Sequence, residues 1–265
     1  MAVNDWKNFL VPYEQAVDEL KVKIRSIRKE YRKRNEYSPI EFVTGRTKKI
    51  ASIVSKAKRL NIQDIEAEME DIAGIRIMCQ FVEDIYNIVN LIKSRSDMSI
   101  VYEKDYIKNF KDSGYRSYHV IIKYPINSIA GSKEILCEIQ IRTLAMNFWA
   151  TIEHSLKYKY EHYIPETLAV RLRRAADAAF LLDQEMSEIR EDIMKAQVMY
   201  QVKSVTLRDV LDKIQELYNV GETHKAIKYQ RRLDKIDNER DITEILQLKK
   251  EIDSLLQEYK NKVDD

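Results

Sequence analysis

Glycine and proline are scarce in this 265-residue chain, which contains only five glycines and four prolines. Both numbers lie well below ordinary usage, which argues against a loop-rich or all-β protein and favours long helices. The length allows one sizeable core with an accessory layer, or two small domains.

Long apolar runs are also lacking. No stretch of about eighteen uninterrupted apolar residues occurs, and the N-terminus MAVNDWKNFL has no basic region followed by an apolar run. The two cysteines, Cys79 and Cys137, lie in apolar, strand-like segments, which is typical of buried free thiols rather than of a disulfide or metal site. We therefore expect a soluble cytoplasmic protein that does not contact membranes.

A strong net charge is absent as well, because 45 lysines and arginines nearly balance 43 aspartates and glutamates. The formal net charge of +2 favours neither a nucleic-acid coat nor an acidic binding protein. The motifs GxxxxGK[ST] and GxGxxG do not occur, so the usual phosphate-binding loops are excluded. The informative charges are local.

Hydrophobic periodicity predicts strands in the middle of the chain and helices before, between and after them. Helices are predicted over 5–34, 44–60, 83–95 and from about Thr143 onwards, and strands near 72–81, 99–106, 117–124 and 134–142. This order predicts an α+β domain with N- and C-terminal helical extensions. We place the domain at residues 1–200 and a C-terminal helical extension at 201–265. Apolar spacing in the extension, with a break at Gly221, is consistent with an oligomer contact but too short to establish a long coiled coil.

A basic face is predicted on the second helix. At 100° per residue, five polar side chains of residues 46–60 share a sector of about 100°, apart from the apolar stripe. They are Lys48, Lys49, Ser52, Lys56 and Arg59. This set could hold a polyphosphate, and a solvated basic face is the alternative.

One predicted strand has a polar face. Within 138–142, a period of two places Glu138, Gln140 and Arg142 on one face of the strand. This face either lines a wet cleft or is the ordinary exposed side of a sheet. Asp71 stands at the start of another strand. It is either a simple boundary residue or a carboxylate whose burial must be balanced by a cation or by hydrogen bonds. Asp71 and Glu138 could together hold Mg²⁺, although their spacing does not show that they meet.

The helix from Thr143 spaces four apolar residues by four, at Leu144, Phe148, Ile152 and Leu156. Asn147 lies on a neighbouring face. Its amide could read a purine edge, but near a helix start an asparagine more often binds the local backbone. His119 and His154 lack metal-ligand spacing, and structural roles are their default interpretation.

Four segments occur in a fixed order: GRTKKIASIVSK (45–56), DIAGIRI (71–77), KDYIKNFKDSGYRSYH (104–119) and EIQIRTLAMNFWATIEH (138–154). Together they resemble the synthetase domain of RelA/SpoT-type (p)ppGpp synthetases, and in particular the single-domain small alarmone synthetases. The resemblance implies a nucleotidyltransferase-like mixed sheet. It also implies transfer of pyrophosphate from ATP to the 3′-hydroxyl of GDP or GTP, giving ppGpp or pppGpp and AMP.

The resemblance assigns roles to the polar residues. For ATP, Arg46 and Arg76 would flank the adenine, and the phosphates would be held by Lys48, Ser52, Lys56 and Arg59. Asp71 and Glu138 would bind Mg²⁺, and Glu138 would also remove the proton of the 3′-hydroxyl.

For the acceptor nucleotide, the resemblance implies that Tyr115 stacks on guanine after the tight approach that Gly114 permits. The other acceptor contacts would be Lys111, His119, Gln140 and Asn147. The chain departs from the family pattern at Ser113, where an asparagine is common.

Small members of the family commonly form homotetramers, so the resemblance implies a homotetramer here. An anionic effector, such as an alarmone, could bind between subunits at Lys21, Arg25, Arg28 and Phe42. Alarmone hydrolysis is not expected, because no His-Asp pair occurs in the sequence.

The sequence is also compatible with two alternative functions. One is a nucleotide- or RNA-binding protein that uses the basic segments 21–34 and 46–59 with Tyr115 as a stacking platform, including weak binding of single-stranded RNA. The other is a degenerate family member that regulates without catalysis. Glu138 beside Gln140 favours the enzyme, because a carboxylate weakens polyanion binding unless Mg²⁺ intervenes.

Overall fold

The computed structural model describes residues 5–129, 131–159, 165–236 and 242–263. Helices and strands alternate in the first part of these ranges, and helices alone follow. The elements are α1 (Trp6–Lys33), β1 (Phe42–Thr47), α2 (Ile50–Leu60), α3 (Ile65–Glu68), β2 (Ala73–Cys79), α4 (Val82–Lys93), β3 (Ser99–Asp105), β4 (Tyr118–Ser128), β5 (Gly131–Thr143), α5 (Leu144–Lys159), α6 (Glu166–Asn219), α7 (Thr223–Lys235) and α8 (Ile242–Val263).

The five strands form one mixed sheet in the order β1-β2-β5-β4-β3. Strands β2 and β5 run parallel, while the other neighbouring pairs are antiparallel. The parallel pair lies in the middle of the sheet, so the residues of β2 and β5 are flanked on both sides. The predicted α+β class with a mixed sheet is confirmed.

One face of the sheet is apolar and packs against α1 and α4. Helix α1 buries Tyr13, Val17, Leu20 and Ile24, whose spacing of three and four places them on one stripe. The close fit of α1 on β1 requires a glycine at position 45. A Cβ there would lie only 2.8 Å from Cδ1 of Ile75 and 2.9 Å from Cγ1 of Val17. The opposite face of the sheet carries the polar side chains.

The predicted helix over 44–60 is wrong in its first part. Residues 42–47 form strand β1, which pairs antiparallel with β2, and the helix begins at Ile50. Thr44, Gly45 and Arg46 therefore belong to the sheet. The apolar stripe predicted for this helix is also only partly buried, because Ile53 is buried whereas Ile50 and Leu60 are exposed.

The described chain divides into two compact units, residues 1–188 and 189–265. The division falls within α6, twelve residues before the boundary of 200 predicted from the sequence. The second unit has its own apolar core, which is built from the C-terminal part of α6, from α7 and from α8. Its buried residues are Val210, Ile214, Leu217, Ala226, Leu233, Ile245, Leu248, Ile252 and Leu256. No described helix is both long enough and apolar enough to cross a membrane.

Candidate active site

The strand register gathers polar residues in the middle of the sheet. In the parallel pair, Gly74 lies opposite Glu138 and Arg76 opposite Gln140. In the antiparallel pair of β4 with β5, His119 also lies opposite Gln140. Side chains of paired residues point to the same face of a sheet. Three strands thus contribute to one polar surface on the face away from α1.

Asp71 lies just before β2, between two lysines. Nζ of Lys48 is 2.5 Å from Oδ2 of Asp71, and Nζ of Lys56 is 2.9 Å from Oδ1. Burial raises the pKa of Asp71, but the hydrogen bonds and charges of the two lysines outweigh burial and lower the pKa below its ordinary value. Asp71 is therefore ionised, and it holds two members of the predicted basic face in place.

Glu138 is held by a histidine and an amide. Nδ1 of His119 lies 2.9 Å from Oε1 of Glu138, and Nε2 of Gln140 donates to Oε2 at 2.8 Å. Burial raises the pKa of Glu138, as does the charge of Asp71, but the interactions with His119 and Gln140 prevail and the pKa is lowered. Glu138 is thus also ionised near neutral pH.

Asp71 and Glu138 line one cavity of about 110 Å³, together with Arg46, Arg76 and Gln140. The cavity therefore joins residues from β1, β2 and β5. Burial lowers the pKa of Arg76, and the charges of Arg142 and Arg46 lower it further. Repulsion among these cations favours an anionic ligand beside them.

The two carboxylates suit a magnesium ion. Within the described residues no group of three or more His, Cys, Asp or Glu side chains converges as a metal site. Mg²⁺ needs no such cage, because it commonly binds one or two carboxylates together with phosphates and water. The charge of Asp71 raises the pKa of Glu138, and a divalent cation held by the two carboxylates would relieve this repulsion.

Tyr115 is connected to Glu138 through a chain of hydrogen bonds. Arg142 donates from NH2 to the Tyr115 hydroxyl at 2.6 Å, and this hydroxyl lies 2.9 Å from Nε2 of His119. His119 in turn reaches Glu138 through Nδ1. The chain is satisfied when the Tyr115 hydroxyl donates to Nε2 and Nδ1–H donates to the carboxylate.

The ring of Tyr115 lies among cations and aromatic rings. Nζ of Lys111 is 5.1 Å from the ring centroid of Tyr115 and 4.8 Å from that of Tyr106. Tyr106 also contacts the rings of both Tyr115 and His119 edge to face. The structure therefore brings Lys111, Tyr115, His119 and Gln140 together, as predicted for the acceptor site.

Apart from Arg46 and Arg76 in the cavity lining, the remaining predicted ATP residues make no contact with Asp71 among those that the structure shows. Ser52 and Arg59 share an exposed face of α2 with Lys56, and Arg46 is exposed on β1. Lys49 is exposed as well, just before α2, and it makes no contact with Asp71 among those that the structure shows. Thus only Lys48 and Lys56 of the predicted basic face reach Asp71 directly.

Asn147 lies in the first turn of α5. Its Oδ1 is buried and accepts no hydrogen bond from the described residues. The prediction that Leu144, Phe148, Ile152 and Leu156 form an apolar stripe is correct in spacing. All four are exposed, whereas Met146, Trp149 and Ala150 of α5 are buried.

Arg142 is a site residue to which the sequence assigned no role. It is buried on β5 and donates to Gln140 at 2.8 Å and to Ser117 at 3.2 Å, in addition to Tyr115. The period of two had already placed it on the polar face, but its partners Tyr115 and Ser117, which precede β4, depend on how β4 pairs with β5. Tyr106 was likewise assigned no role from the sequence, because its contact with Tyr115 requires the loop between β3 and β4 to fold back on itself.

Three of the four residues of the predicted effector site, Lys21, Arg25 and Arg28, lie on α1 close to β1. NH2 of Arg25 donates to the carbonyl of Val43 at 3.2 Å, and NH2 of Arg28 is 3.4 Å from Oε1 of Glu41. Lys21 pairs with Asp18 at 3.0 Å. Phe42 is exposed on β1.

Comparison with known proteins places this site in a family. Residues 45–163 match the family described as the region found in RelA/SpoT proteins. The chain is 56% identical over 199 residues to the GTP pyrophosphokinase YjbM of Bacillus subtilis (strain 168), covering 75% of this chain and 94% of that protein. The chain belongs to the RelA/SpoT family. Within it, the chain is a small alarmone synthetase, as the solved structures indicate.

Two of those structures hold nucleotides. Small alarmone synthetase 1 from Bacillus subtilis, bound to its product pppGpp, is 57% identical, with a TM-score of 0.69 over 71% of this chain and 97% of that chain. The same protein bound to AMPCPP gives 52% identity and a TM-score of 0.64 over 72% of this chain and 98% of that chain. The resemblance inferred from the four motifs is thus confirmed.

Proposed function

We propose that this small alarmone synthetase transfers pyrophosphate from ATP to the 3′-hydroxyl of GDP or GTP, giving (p)ppGpp and AMP. One observation carries the proposal: a lysine-bound carboxylate and a histidine-bound carboxylate, Asp71 and Glu138, line one cavity. Relatives that bind pppGpp and AMPCPP support the choice of guanosine and adenosine nucleotides.

In the proposed reaction the acceptor's 3′-oxygen attacks the β-phosphorus of ATP. A bond forms between that oxygen and the β-phosphorus, and the bond from the β-phosphorus to the oxygen bridging it to the α-phosphorus breaks, so AMP leaves with the bonding electrons. Glu138 accepts the hydroxyl proton. Such transfers depend on alignment and charge neutralisation more than on covalent chemistry.

The donor side is proposed to use the cations around Asp71. Lys48 and Lys56 are already oriented by its carboxylate and would bind the phosphates, with Ser52 and Arg59 completing the set on α2. Arg46 and Arg76 would lie against the adenine, because planar guanidinium groups stack on rings. Mg²⁺ held by Asp71 and Glu138 would neutralise phosphate charge.

The acceptor side is proposed to centre on Tyr115. Its ring would stack on guanine, and the ammonium group of Lys111, now beside the ring, would bind acceptor phosphates. His119 and Gln140 keep Glu138 oriented toward the cavity. Asn147 would complete the acceptor pocket, as the family resemblance implies.

The direct test of these roles is Glu138→Gln. Wild type, incubated with Mg²⁺, ATP and GDP, should form ppGpp and AMP in equal amounts, whereas the variant should be slower by at least about 10²-fold because it lacks the proton acceptor. Glu134→Gln is a matched control on the same face of β5, where Glu134 is exposed. Equal rates for wild type and Glu138→Gln would contradict the assignment.

We further infer that the protein forms a homo-oligomer, and the tetramer is the assembly that family resemblance implies. The exposed apolar residues of α5 support this inference, because Phe148 is 67% exposed and Leu144, Ile152 and Leu156 continue the same stripe. An anionic effector would bind at Lys21, Arg25, Arg28 and Phe42. The clustering of the three cations on α1 beside β1 supports an anion site there.

A further inference from the structure

The loop between β3 and β4, which carries Tyr115, packs against α6 at Gly114. This glycine has φ +86°, a left-handed conformation that side chains disfavour. A Cβ at Gly114 would lie 2.6 Å from Cβ of Ala176, which is buried on α6. The backbone of the loop therefore touches the helix directly.

Arg116 fastens the other side of the same loop. Its side chain is only 7% exposed and lies between two aromatic rings, with Cζ 4.5 Å from the centroids of both Phe110 and Phe180. NH1 donates to the carbonyl of Gly114 at 3.1 Å, and NH2 donates to Oδ1 of Asp177 at 3.0 Å. Arg116 thus links the loop backbone to a carboxylate on α6.

Tyr115 stands between these two anchors. Its ring packs against the cluster of Trp149, Ala150 and Ala176, in which α5 and α6 meet. Arg116 itself touches none of the cavity residues around Asp71 and Glu138 in the contacts that the structure shows. It contacts instead the backbone of the loop beside Tyr115, at the carbonyl of Gly114.

We propose that Arg116 and Asp177 form a positioning pair that sets the orientation of Tyr115 and thereby the affinity for the guanosine acceptor. The inference rests on the proposed function, because it takes Tyr115 as the acceptor platform. Asp177 is half exposed, and an ion pair with an exposed partner usually contributes little to stability. This pair differs because loss of Asp177 leaves a buried guanidinium without its carboxylate.

The test compares Asp177→Ala with wild type in steady-state kinetics. The variant should raise KM for GDP about tenfold and change KM for ATP less than twofold, because the donor residues lie on other elements. Equilibrium dialysis of GDP with the protein alone should show the same loss of affinity. Asp177→Asn, which keeps a neutral hydrogen-bond acceptor, should fall between wild type and Asp177→Ala.

Two further variants make the result decisive. Glu185→Ala removes an exposed carboxylate from the same helix and should match wild type. Arg116→Lys, which cannot bond Gly114 and Asp177 with one planar fork, should reproduce the rise in KM for GDP even if Asp177→Ala folds poorly. Unchanged GDP affinity, or equal rises in both KM values, would overturn the proposal. A wild type that makes no ppGpp refutes the proposed function instead, and dialysis then still tests the pair.

Discussion

The two carboxylates of the site are kept ionised by different kinds of partner. Asp71 is neutralised by two ammonium groups, whereas Glu138 faces the imidazole of His119 and the amide of Gln140. Asp71 is therefore already compensated, while Glu138 retains more of its charge for a metal ion or a proton. This difference suits the proposed role of Glu138 as the base.

Asp183 is a carboxylate outside the site with the opposite behaviour. It is 5% exposed, and the Thr143 hydroxyl donates to it at 2.5 Å. Burial raises its pKa from the ordinary 3.8 to about 6, the bond from Thr143 opposes the rise, and the charge of Glu83 adds to it. Because the same Thr143 oxygen accepts from the amide of Met146, Asp183 supports the start of α5.

Asp183→Asn should therefore stabilise the protein at neutral pH. The raised pKa means that the folded state binds more protons than the unfolded state between about pH 4 and 6, so the free energy of unfolding falls as pH rises through that window and stays lower above it. Asparagine cannot ionise. The variant should gain roughly 1–3 kcal/mol at pH 7.5, and the gain should shrink as pH falls from 6 towards 4.

Thermal or urea unfolding over this pH range measures the effect. Glu185→Gln, an exposed carboxylate on the same helix, is the control and should show no such pH dependence. A difference between Asp183→Asn and wild type that stays constant from pH 4 to 7.5 would show that the ionisation of Asp183 is not its cause.

At the scale of elements, the sequence predicted the alternating strands well but misplaced β1. The alternation in 134–142 survives in β5, because one face of that strand is apolar and the other polar. The residue types of segment 42–47 show no such alternation of apolar and polar side chains. The segment becomes a strand by pairing with β2. Tertiary pairing of this kind is not visible in a local pattern.

The site residues were likewise predictable only where a local sequence pattern reveals them. Glu138, Gln140 and Arg142 were placed on one face by their period of two, and the structure agrees. The pairing of Asp71 with Lys48 and Lys56 could not be predicted, because it depends on where α2 lies beside the start of β2. Contacts of the loop with Asp177 were equally hidden, since 61 residues separate Asp177 from Arg116.

The contact of the loop with α6 can be tested through Gly114→Ala. The added methyl group meets Ala176, and φ +86° costs about 1–2 kcal/mol for an L-residue, so kcat/KM for GDP should fall about tenfold or more. Adding Ala176→Gly removes the overlap but not the strained φ, and should restore part of the loss. Gly221→Ala, at φ +87° with open space around it, should leave kcat/KM for GDP unchanged. Full activity of Gly114→Ala would mean that the loop is not seated on α6.

At the scale of the whole molecule, all proposed site residues belong to the first unit. The 199 residues aligned with the Bacillus subtilis relative amount to 75% of this chain, so a quarter of the chain lies outside that similarity. The apolar spacing of the tail was interpreted as an oligomer contact, and the structure buries Ile245, Leu248 and Ile252 of that tail in the second unit's own core. The division into two compact units falls within α6, and a boundary inside a continuous helix leaves no break in the sequence from which it could be predicted.

Phe148→Glu should shift the protein to a smaller assembly. A charge in the middle of the exposed apolar stripe of α5 opposes burial against another subunit. Light scattering after size-exclusion chromatography measures the mass. His154→Glu adds the same charge to the same helix outside the stripe and should keep the mass of wild type. A mass unchanged by Phe148→Glu would exclude this stripe as a subunit contact.

The central claim is that pyrophosphate moves as a unit from ATP to a guanosine nucleotide. The most direct measurement follows ATP labelled with ³²P at either the γ- or the α-phosphate, incubated with the protein, Mg²⁺ and unlabelled GDP, with the products separated by thin-layer chromatography. The γ label should appear in ppGpp and the α label only in AMP. Release of the γ label solely as inorganic phosphate, or no labelled guanosine product from folded protein with either GDP or GTP, would contradict it.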